Sequence, residues 1–329
     1  RDAEGRVYFS ATRFEEGKPL GNFQYQGTRP DDPNDIYPHE HRRELRANRV
    51  FAAWLAHDDS RAVNSLNMLV EQDGRKFIRH YMYDFGAILG SATRFPDPVT
   101  TGHEHFIEKA SSLRALGTLG LHAPRYVRAD YGDIPPSAGQ VSSVAFEPEK
   151  WKANYPNAAF ENMRPDDAFW GARLVSRFSD ETIATIVAAV GYDDPRAAEY
   201  MTRTLRERRD IVAKTWLTGV NPIVNATLAA DGALTFSNAA VDARAATAPD
   251  AYLVTWSRFD NRSGAHQPVG GETRVSATRA AAPPALLKDA EFASASIRAV
   301  HPQHPQWREP VQLYFRRAGG GWKTIGLYR

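Results

Sequence analysis

Hydrophobic positions recur with a helical period in an early segment of the chain. Between residues 38 and 56 the apolar side chains stand three or four residues apart, which places them on one face of a helix. They are Ala47, Val50, Phe51, Trp54 and Leu55. Four arginines lie largely off that face, so we expect them to be solvated: Arg42, Arg43, Arg46 and Arg49.

Two apolar runs follow this helix and flank a polar turn. The runs cover residues 66–70 and 77–83, and Asp73-Gly74 stands between them. An Asp-Gly pair between two apolar runs is typical of a tight β-hairpin. We therefore predict a hairpin from Leu66 to Tyr83.

Two later helices carry start and stop signals. Ser179 precedes the first and Gly191 follows it, while Asp194-Pro195 opens the second. The basic residues of the second helix are expected on its solvated surface: Arg206, Arg208, Arg209 and Lys214. Before these helices, residues 123–170 are rich in proline and aromatic residues. This pattern indicates an irregular segment that is functional or wraps the surface.

The pattern changes near Asn221-Pro222 from helical to alternating. Short strand-like runs with turn signals between them then continue to the last residue, as in Tyr252–Trp256 and Val311–Phe315. The patterns together predict an α+β protein. Residues 1–222 form a mainly helical part with one hairpin, and residues 223–329 form an antiparallel β-sandwich accessory domain.

Composition narrows the function classes. The 329 residues are 42% hydrophobic and 24% charged, which is ordinary for a globular protein, and the net charge of +2 implies no strong attraction to nucleic acid or membranes. No apolar run has the length of a membrane span.

The chain has no cysteine, which excludes disulfides and thiolate chemistry and is compatible with export. It starts at Arg1 rather than Met, as expected of a processed or truncated form.

One ordered set of polar residues surrounds the hairpin. His57-Asp58-Asp59 is followed by Asn64, five residues after Asp59, and the hairpin ends in Asp84-Phe85-Gly86. This is the order of the catalytic loop and the metal loop of a protein kinase. Residues 1–222 thus resemble the C-lobe of the protein-kinase-like superfamily, most closely atypical bacterial kinases of the spore-coat and toxin types.

The whole chain also resembles a group of uncharacterised bacterial proteins. Those proteins share the run Arg-Val-Phe-Ala-Ala-Trp-Leu, which is residues 49–55 here, before the catalytic loop. They also share the Asp-Phe-Gly of residues 84–86 and a helical Arg-Arg-Asp, residues 208–210. The resemblance covers nearly the whole chain, whereas the kinase motifs cover only residues 57–86.

The kinase resemblance implies a role for each residue of the set. Asp59 would be the catalytic carboxylate, free at the tip of its loop, and His57 would be a structural brace. Asn64 and Asp84 would bind Mg²⁺ against the phosphates of ATP. The implied partners are a nucleotide and an unknown phosphoacceptor.

Several departures from the kinase pattern leave alternatives open. Asp58 stands where kinases usually place arginine, and it could replace Asp59 as the catalytic acid, just as Asn67 could replace Asn64. No glycine-rich loop and no lysine-bearing strand precede the helix. The resemblance therefore implies one of two alternatives: the N-lobe is supplied by a segment outside this chain or by a partner, or the fold is a degenerate relative of the kinases.

Two other classes of function remain as alternatives. A non-enzymatic pseudokinase or binding protein is compatible with the missing N-lobe and with Asp58. A metal-dependent hydrolase is compatible with several clusters of histidine and acidic residues. These clusters are His39-Glu40-His41, His57-Asp58-Asp59, His80 with Asp84, and His103-Glu104-His105.

Overall fold

A computed structural model describes residues 14–92, 95–98, 100–108, 112–113, 116–119, 121 and 123–329 of the chain. These residues combine helices with antiparallel sheets, so the expected α+β class is confirmed. None of the helices in these ranges is both long enough and apolar enough to cross a membrane.

Four helices of at least 11 residues dominate the first part of the described chain. Their bounds are α1 Arg43–Leu55, α2 Pro165–Val175, α3 Asp180–Val190 and α4 Pro195–Trp216. The Ser179 hydroxyl accepts a hydrogen bond from the Thr182 N–H at the start of α3, and Gly191 ends α3 in the left-handed conformation. Asp194 caps α4. The capping signals in the sequence therefore identified both helices correctly.

The apolar face predicted for α1 packs inwards, but one of its arginines does so as well. Arg46 is buried, and its guanidinium donates to both carboxylate oxygens of Asp167 on α2, at 2.6 and 3.0 Å. The expectation of a solvated Arg46 was therefore wrong. Gly171 brings α2 close to α1, because a Cβ there would lie 2.8 Å from a Val50 methyl group. The ion pair and the close packing fix α1 against α2.

Shorter helical turns connect these helices and the strands. The α-helical turns whose bounds the structure gives include Arg125–Arg128, Ala158–Glu161, Ala239–Asp242 and Pro284–Asp289. Four are 3₁₀ turns: His39–His41, Ala62–Asn64, Pro136–Ala138 and Pro305–Arg308. The described residues between 123 and 157 contain only such short turns, in agreement with the predicted irregular segment.

The predicted hairpin is present. Its strands are β2, Ser65–Gln72, and β3, Arg75–Met82, paired antiparallel over their whole length, and β1, Lys18–Pro19, pairs with the outer side of β2. Asp73 and Gly74 form the turn with φ angles of 51° and 72°. Both angles are positive, as a two-residue turn of this hand requires. The sequence signal therefore predicted the hairpin and its turn correctly.

A small sheet of three short strands follows the hairpin. Its members are β4, Ala87–Ile88, β5, Ser91–Ala92, and β6, Phe95–Pro96. The Leu89 N–H between β4 and β5 donates to the Leu55 carbonyl at 2.9 Å. This bond attaches the sheet to the last residue of α1, directly before the loop that contains His57.

The second part of the chain consists mainly of antiparallel strands, as predicted. The strands are β7 Ile223–Leu228, β8 Ala233–Asn238, β9 Ala251–Phe259, β10 His266–Pro268, β11 Thr273–Val275, β12 Arg279–Ala281, β13 Phe292–Val300, β14 Val311–Ala318 and β15 Gly321–Tyr328. One sheet has the order β10-β9-β13-β14-β15, with β11 also on β9, and a second has the order β12-β8-β7. The runs Tyr252–Trp256 and Val311–Phe315 lie within β9 and β14.

The hydrophobic core continues from the helices into the sheets. Trp54 of α1 and Trp256 of β9 belong to the same cluster of buried side chains. At the junction, the Trp307 indole N–H donates to the Thr218 carbonyl at 3.0 Å. The division into two domains at residues 222 and 223 coincides with the change from helices to strands, and as a statement about independent units it stays a prediction.

Candidate functional site at the loop after α1

The loop of residues 57–64 starts from a fixed helix end. Ala56 ends α1 in the left-handed conformation with a φ of 51°, and the His57 N–H donates to the Ala52 carbonyl at 2.8 Å. The last carbonyl groups of a helix lack partners within it, so they need donors from elsewhere. Arg208 of α4 supplies two of them. Its Nε donates to the Trp54 carbonyl at 2.8 Å, and its Nη2 donates to the Ala53 carbonyl at 2.5 Å.

Arg208 is buried rather than solvated, which contradicts the sequence-based expectation. Its Nη1 donates to the Ser142 carbonyl at 2.6 Å, and its guanidinium lies 3.6 Å from the centre of the Phe146 ring. Burial lowers the pKa of Arg208 to about 9. The negative end of the α1 dipole compensates part of the cost of burying this cation. Arg208 thereby fixes the point from which the loop departs.

Asp59 is held by two side chains of its own loop. The Asn64 Nδ2 donates to the Asp59 carboxylate Oδ2 at 2.8 Å and to its backbone carbonyl at 2.9 Å. The Arg61 Nη2 donates to the same Oδ2 at 2.9 Å, and its Nε forms an ion pair with Oδ1. The side chain of Asp59 is only 22% exposed. The carboxylate is therefore oriented and neutralised, and not free as the kinase resemblance implied.

Asp84 lies beside this loop because the end of β3 is tied to it. The Tyr83 N–H donates to the Asn64 carbonyl at 3.2 Å, and the Tyr83 hydroxyl donates to the Val63 carbonyl at 2.9 Å. Asp84 itself is exposed, and its Oδ1 accepts a hydrogen bond from the Gly86 N–H at 3.0 Å. This bond turns the chain at the Asp-Phe-Gly segment and fixes the direction of the carboxylate.

His57, the first residue of the loop, is almost fully buried. Its ring centre is 5.4 Å from that of Phe85, and its Nδ1 is 3.1 Å from the Ser60 hydroxyl. Burial lowers the pKa of His57, against the opposing effects of the Asp84 backbone carbonyl and of the charges of Asp59 and Asp84. Both carboxylates therefore act on one imidazole. The ring is neutral at pH 7, in agreement with a bracing role and not with that of a cation.

The fit of Mg²⁺ depends on the oxygen atoms that face solvent. Asp84 offers an exposed carboxylate, whereas Asn64 is buried and its amide nitrogen faces Asp59. Magnesium prefers one or two protein oxygens completed by water and phosphate. The Asp84 carboxylate fits this preference and is the exposed ligand of the predicted pair. Among the described residues no group of three or more His, Asp or Glu side chains is placed to hold a metal ion.

The residues considered as substitutes in the sequence occupy other positions. Asp58 is 1% exposed and accepts a hydrogen bond from the Asn154 Nδ2, so it is not accessible as a catalytic acid. Asn67 lies within β2, where its side chain contacts the ring of His80 and the Asn22 carbonyl. Neither residue takes over the roles assigned to Asp59 and Asn64.

The histidines suggested as hydrolase ligands are bound elsewhere. The imidazole of His39 is 2.7 Å from the Asp35 carboxylate, and its other nitrogen meets the Gln24 carbonyl. The His103 ring stacks on Tyr126 at 4.2 Å, and His105 contacts the Ala153 carbonyl at 2.7 Å. These contacts explain the histidines as structural side chains.

Three residues of the irregular segment complete the site and had no signal in the sequence. The Asn154 N–H donates to the Asp58 carbonyl at 2.8 Å, and the Asn157 Nδ2 donates to the Ser60 carbonyl at 3.0 Å. The Tyr155 ring lies 4.5 Å below the Arg61 guanidinium. The segment therefore wraps the loop. Its role was predicted in outline, but these residues were not.

Comparison with known proteins gives no relative for this arrangement. No protein-family model, no curated protein and no solved structure matches the chain.

Proposed function

We propose that this chain is a kinase-like phosphotransferase that binds ATP with Mg²⁺ and transfers a phosphoryl group to an acceptor hydroxyl. The observation that supports the proposal is that Asn64 connects the segments of the two acids: its amide nitrogen donates to the Asp59 carboxylate, and its carbonyl accepts from the Tyr83 N–H, directly before Asp84. Phosphoryl transfer needs one carboxylate near the nucleophile and a second, separate carboxylate that binds the metal. The hairpin between the two acids keeps them in a fixed relation. The finer fold assignment belongs to the same proposal, with the helical part as a kinase-like C-lobe and the strands as a β-sandwich accessory domain.

Each side chain has a distinct task in this proposal. Asp59 orients the acceptor hydroxyl and accepts its proton. Asn64 and Asp84 would hold Mg²⁺, which supplies charge neutralisation at the phosphates. His57 stays neutral and supports Phe85 and the backbone of Asp84. Arg61 has to share or release the Asp59 carboxylate when the acceptor hydroxyl enters.

A phosphoryl-transfer assay tests the catalytic role. The purified protein is incubated with Mg²⁺ and ATP labelled at the γ-phosphate, and the release or transfer of the label is followed. We expect activity in the unchanged protein, its loss in Asp59→Asn, and its retention in Asp73→Asn. Asp73→Asn is the control, because it makes the same chemical change at an exposed residue. Asp73 lies in the hairpin turn, at the end of β3 opposite to Asp84. Equal activity in Asp59→Asn and Asp73→Asn would contradict the proposal.

Nucleotide binding without transfer is the second candidate function. The observation in its favour is the ion pair of Arg61 with Asp59, which neutralises the proposed catalytic carboxylate. In that case the protein binds Mg²⁺ and ATP but transfers no label, and Arg61→Gln does not restore transfer. Transfer by the unchanged protein would exclude this candidate.

A further inference from the structure

Two further carboxylates are buried at the loop of residues 57–64, one within the loop and one on a separate segment. Asp58 is 1% exposed, and Asp97 is 6% exposed. Asp58 follows the end of α1 directly. Asp97 reaches the same region through the small sheet, because its N–H donates to the Gly90 carbonyl at 2.9 Å and the neighbouring Leu89 is bonded to the end of α1. Both acids therefore lie near the end of α1, although they belong to two different segments of the chain.

In each of these two carboxylates, one oxygen lacks a hydrogen-bond donor. Within the described part of the chain, Asp58 Oδ1 and Asp97 Oδ2 are buried and have no hydrogen-bond partner. The other oxygen of Asp58 accepts from the Asn154 Nδ2 at 2.5 Å. Buried carboxylates without donors are costly when ionised, and two in one region repel each other. One of them is therefore expected to keep a proton.

We propose that Asp58 and Asp97 share one proton, and that this pair holds the small sheet of β4, β5 and β6 against the end of α1 and the loop that follows it. The protonated carboxyl of Asp58 donates through Oδ1 to Oδ2 of Asp97, so a single hydrogen bond serves both orphan oxygens. Loss of this proton to solvent leaves two ionised carboxylates in a buried region. The inference does not depend on the proposed phosphotransferase activity, because folding stability alone tests it.

The electrostatics of the surrounding groups agree with this assignment. Burial, followed by the charge of Asp97, raises the pKa of Asp58 to about 7, and burial raises the pKa of Asp97. The charge of Asp59 acts on Asp58 in the same direction, and Arg61 is the cation of this loop. Because Arg61 is paired with Asp59, the main unbalanced charge that faces Asp58 is that of Asp97. The two acids titrate as a unit.

The shared proton gives stability a definite pH dependence. The folded protein holds the proton up to a pH of about 7, whereas in the unfolded chain Asp58 releases it near its ordinary value of 3.8. Between these values the folded state binds more protons than the unfolded state. The contribution of the pair to stability is therefore complete below the unfolded pKa, and it is lost as the pH rises towards the folded pKa.

The test compares the melting temperature of the unchanged protein with that of Asp58→Asn from about pH 4 to about pH 8. The amide donates to Asp97 and accepts from Asn154 without a proton to lose. The quantity of interest is the melting temperature of the variant minus that of the unchanged protein. We expect this difference to increase by several degrees as the pH rises across the range, and then to level off. Asp73→Asn, the exposed control, should give a constant difference.

Two results would overturn the shared proton. The first is a constant difference for Asp58→Asn across the pH range. The second is a rise in the melting temperature of the unchanged protein, but not of Asp58→Asn, when Mg²⁺ or Ca²⁺ chloride is added at pH 8, because the carboxylates would then bind a cation instead.

Two further measurements keep the test decisive if Asp58→Asn does not fold. Asp97→Asn should show the same rise in the difference, since its amide can donate to ionised Asp58. In the unchanged protein, infrared spectra at pH 6 should contain the carbonyl band of a protonated carboxyl group. A spectrum without that band, or a constant difference for Asp97→Asn, counts against the pair.

Discussion

The Nδ2 of Asn64 donates to both the carboxylate and the backbone carbonyl of Asp59, at 2.8 and 2.9 Å. One amide group therefore closes the loop of residues 59–64 and sets the direction of the proposed catalytic carboxylate. The spacing of five residues between Asp59 and Asn64, which identified this pair in the sequence, also allows the two side chains to meet across the loop.

Replacing Asn64 should open this loop. Asn64→Leu keeps the size of the side chain but removes both donors, and one acceptor is charged, so we expect a loss of about 1–3 kcal/mol in the free energy of unfolding. Urea denaturation measures it. Asn162→Leu is the control, because Asn162 is exposed and makes one hydrogen bond, to the Ala158 carbonyl. Equal losses in the two variants would mean that the loop does not depend on Asn64.

Replacing Arg208 should destabilise the protein strongly. Arg208→Met removes the donors that Arg208 supplies to the carbonyls of Ala53, Trp54 and Ser142, and we expect the free energy of unfolding to fall by about 3 kcal/mol or more. The matched control is Arg203→Met on the exposed side of the same helix, for which we expect a change within about 0.5 kcal/mol. A small effect at Arg208 would show that water can replace its contacts at the end of α1.

Asp35 should give the protein a dependence on acid pH. Burial alone would raise the pKa of Asp35, but the Arg29 N–H, the His39 ring and the Arg42 guanidinium lower it on balance. Because the pKa of Asp35 is lower in the folded protein than its ordinary value of 3.8, the ionised carboxylate stabilises the folded state at pH values above 3.8. This stabilisation is lost as the pH falls through the folded pKa.

The corresponding variant is Asp35→Asn. At neutral pH we expect it to lose about 2 kcal/mol relative to the unchanged protein, and the difference should shrink below about pH 4. Thermal unfolding in a series of buffers measures this difference. A loss that stays constant down to the acid range would assign the effect to packing and not to charge.

Arg329 should stabilise the junction between helices and strands. Its side chain donates to the carbonyls of Asn221 and Ile223, at 2.9 and 2.5 Å, and its guanidinium lies 4.3 Å from the Phe169 ring centre. Arg329→Ala should therefore lower the free energy of unfolding by about 2 kcal/mol. Tyr328→Ala is the control, since Tyr328 is 72% exposed. Equal changes in the free energy of unfolding for the two variants would mean that Arg329 does not stabilise the junction.

Local patterns in the sequence were sufficient for the hairpin and for two of the long helices. The hairpin was predicted because the turn Asp73-Gly74 needs positive φ angles, and this requirement is visible in two residues. The starts of α3 and α4 were predicted because the caps Ser179 and Asp194 are adjacent to the helices that they cap. In each case the physical cause lies within a few residues of its effect.

Contacts between distant residues could not be predicted in the same way. Arg46 and Arg208 resemble solvated arginines of amphipathic helices, and their partners lie more than 100 residues away, on α2 and at the end of α1. Asn154 lies 96 residues from Asp58. The pairing of Arg61 with Asp59 is local, but it depends on the loop geometry that these distant contacts impose.

In the proposed function, Asp84 binds Mg²⁺, and Asp59 orients the acceptor hydroxyl and accepts its proton. The measurement that tests it most directly is the dissociation constant of ATP, with and without Mg²⁺, for the unchanged protein, Asp84→Asn and Asp59→Asn. We expect Mg²⁺ to tighten ATP binding in the unchanged protein and in Asp59→Asn, but not in Asp84→Asn. Equal loss in the two variants, or no effect of Mg²⁺ on the unchanged protein, would contradict it.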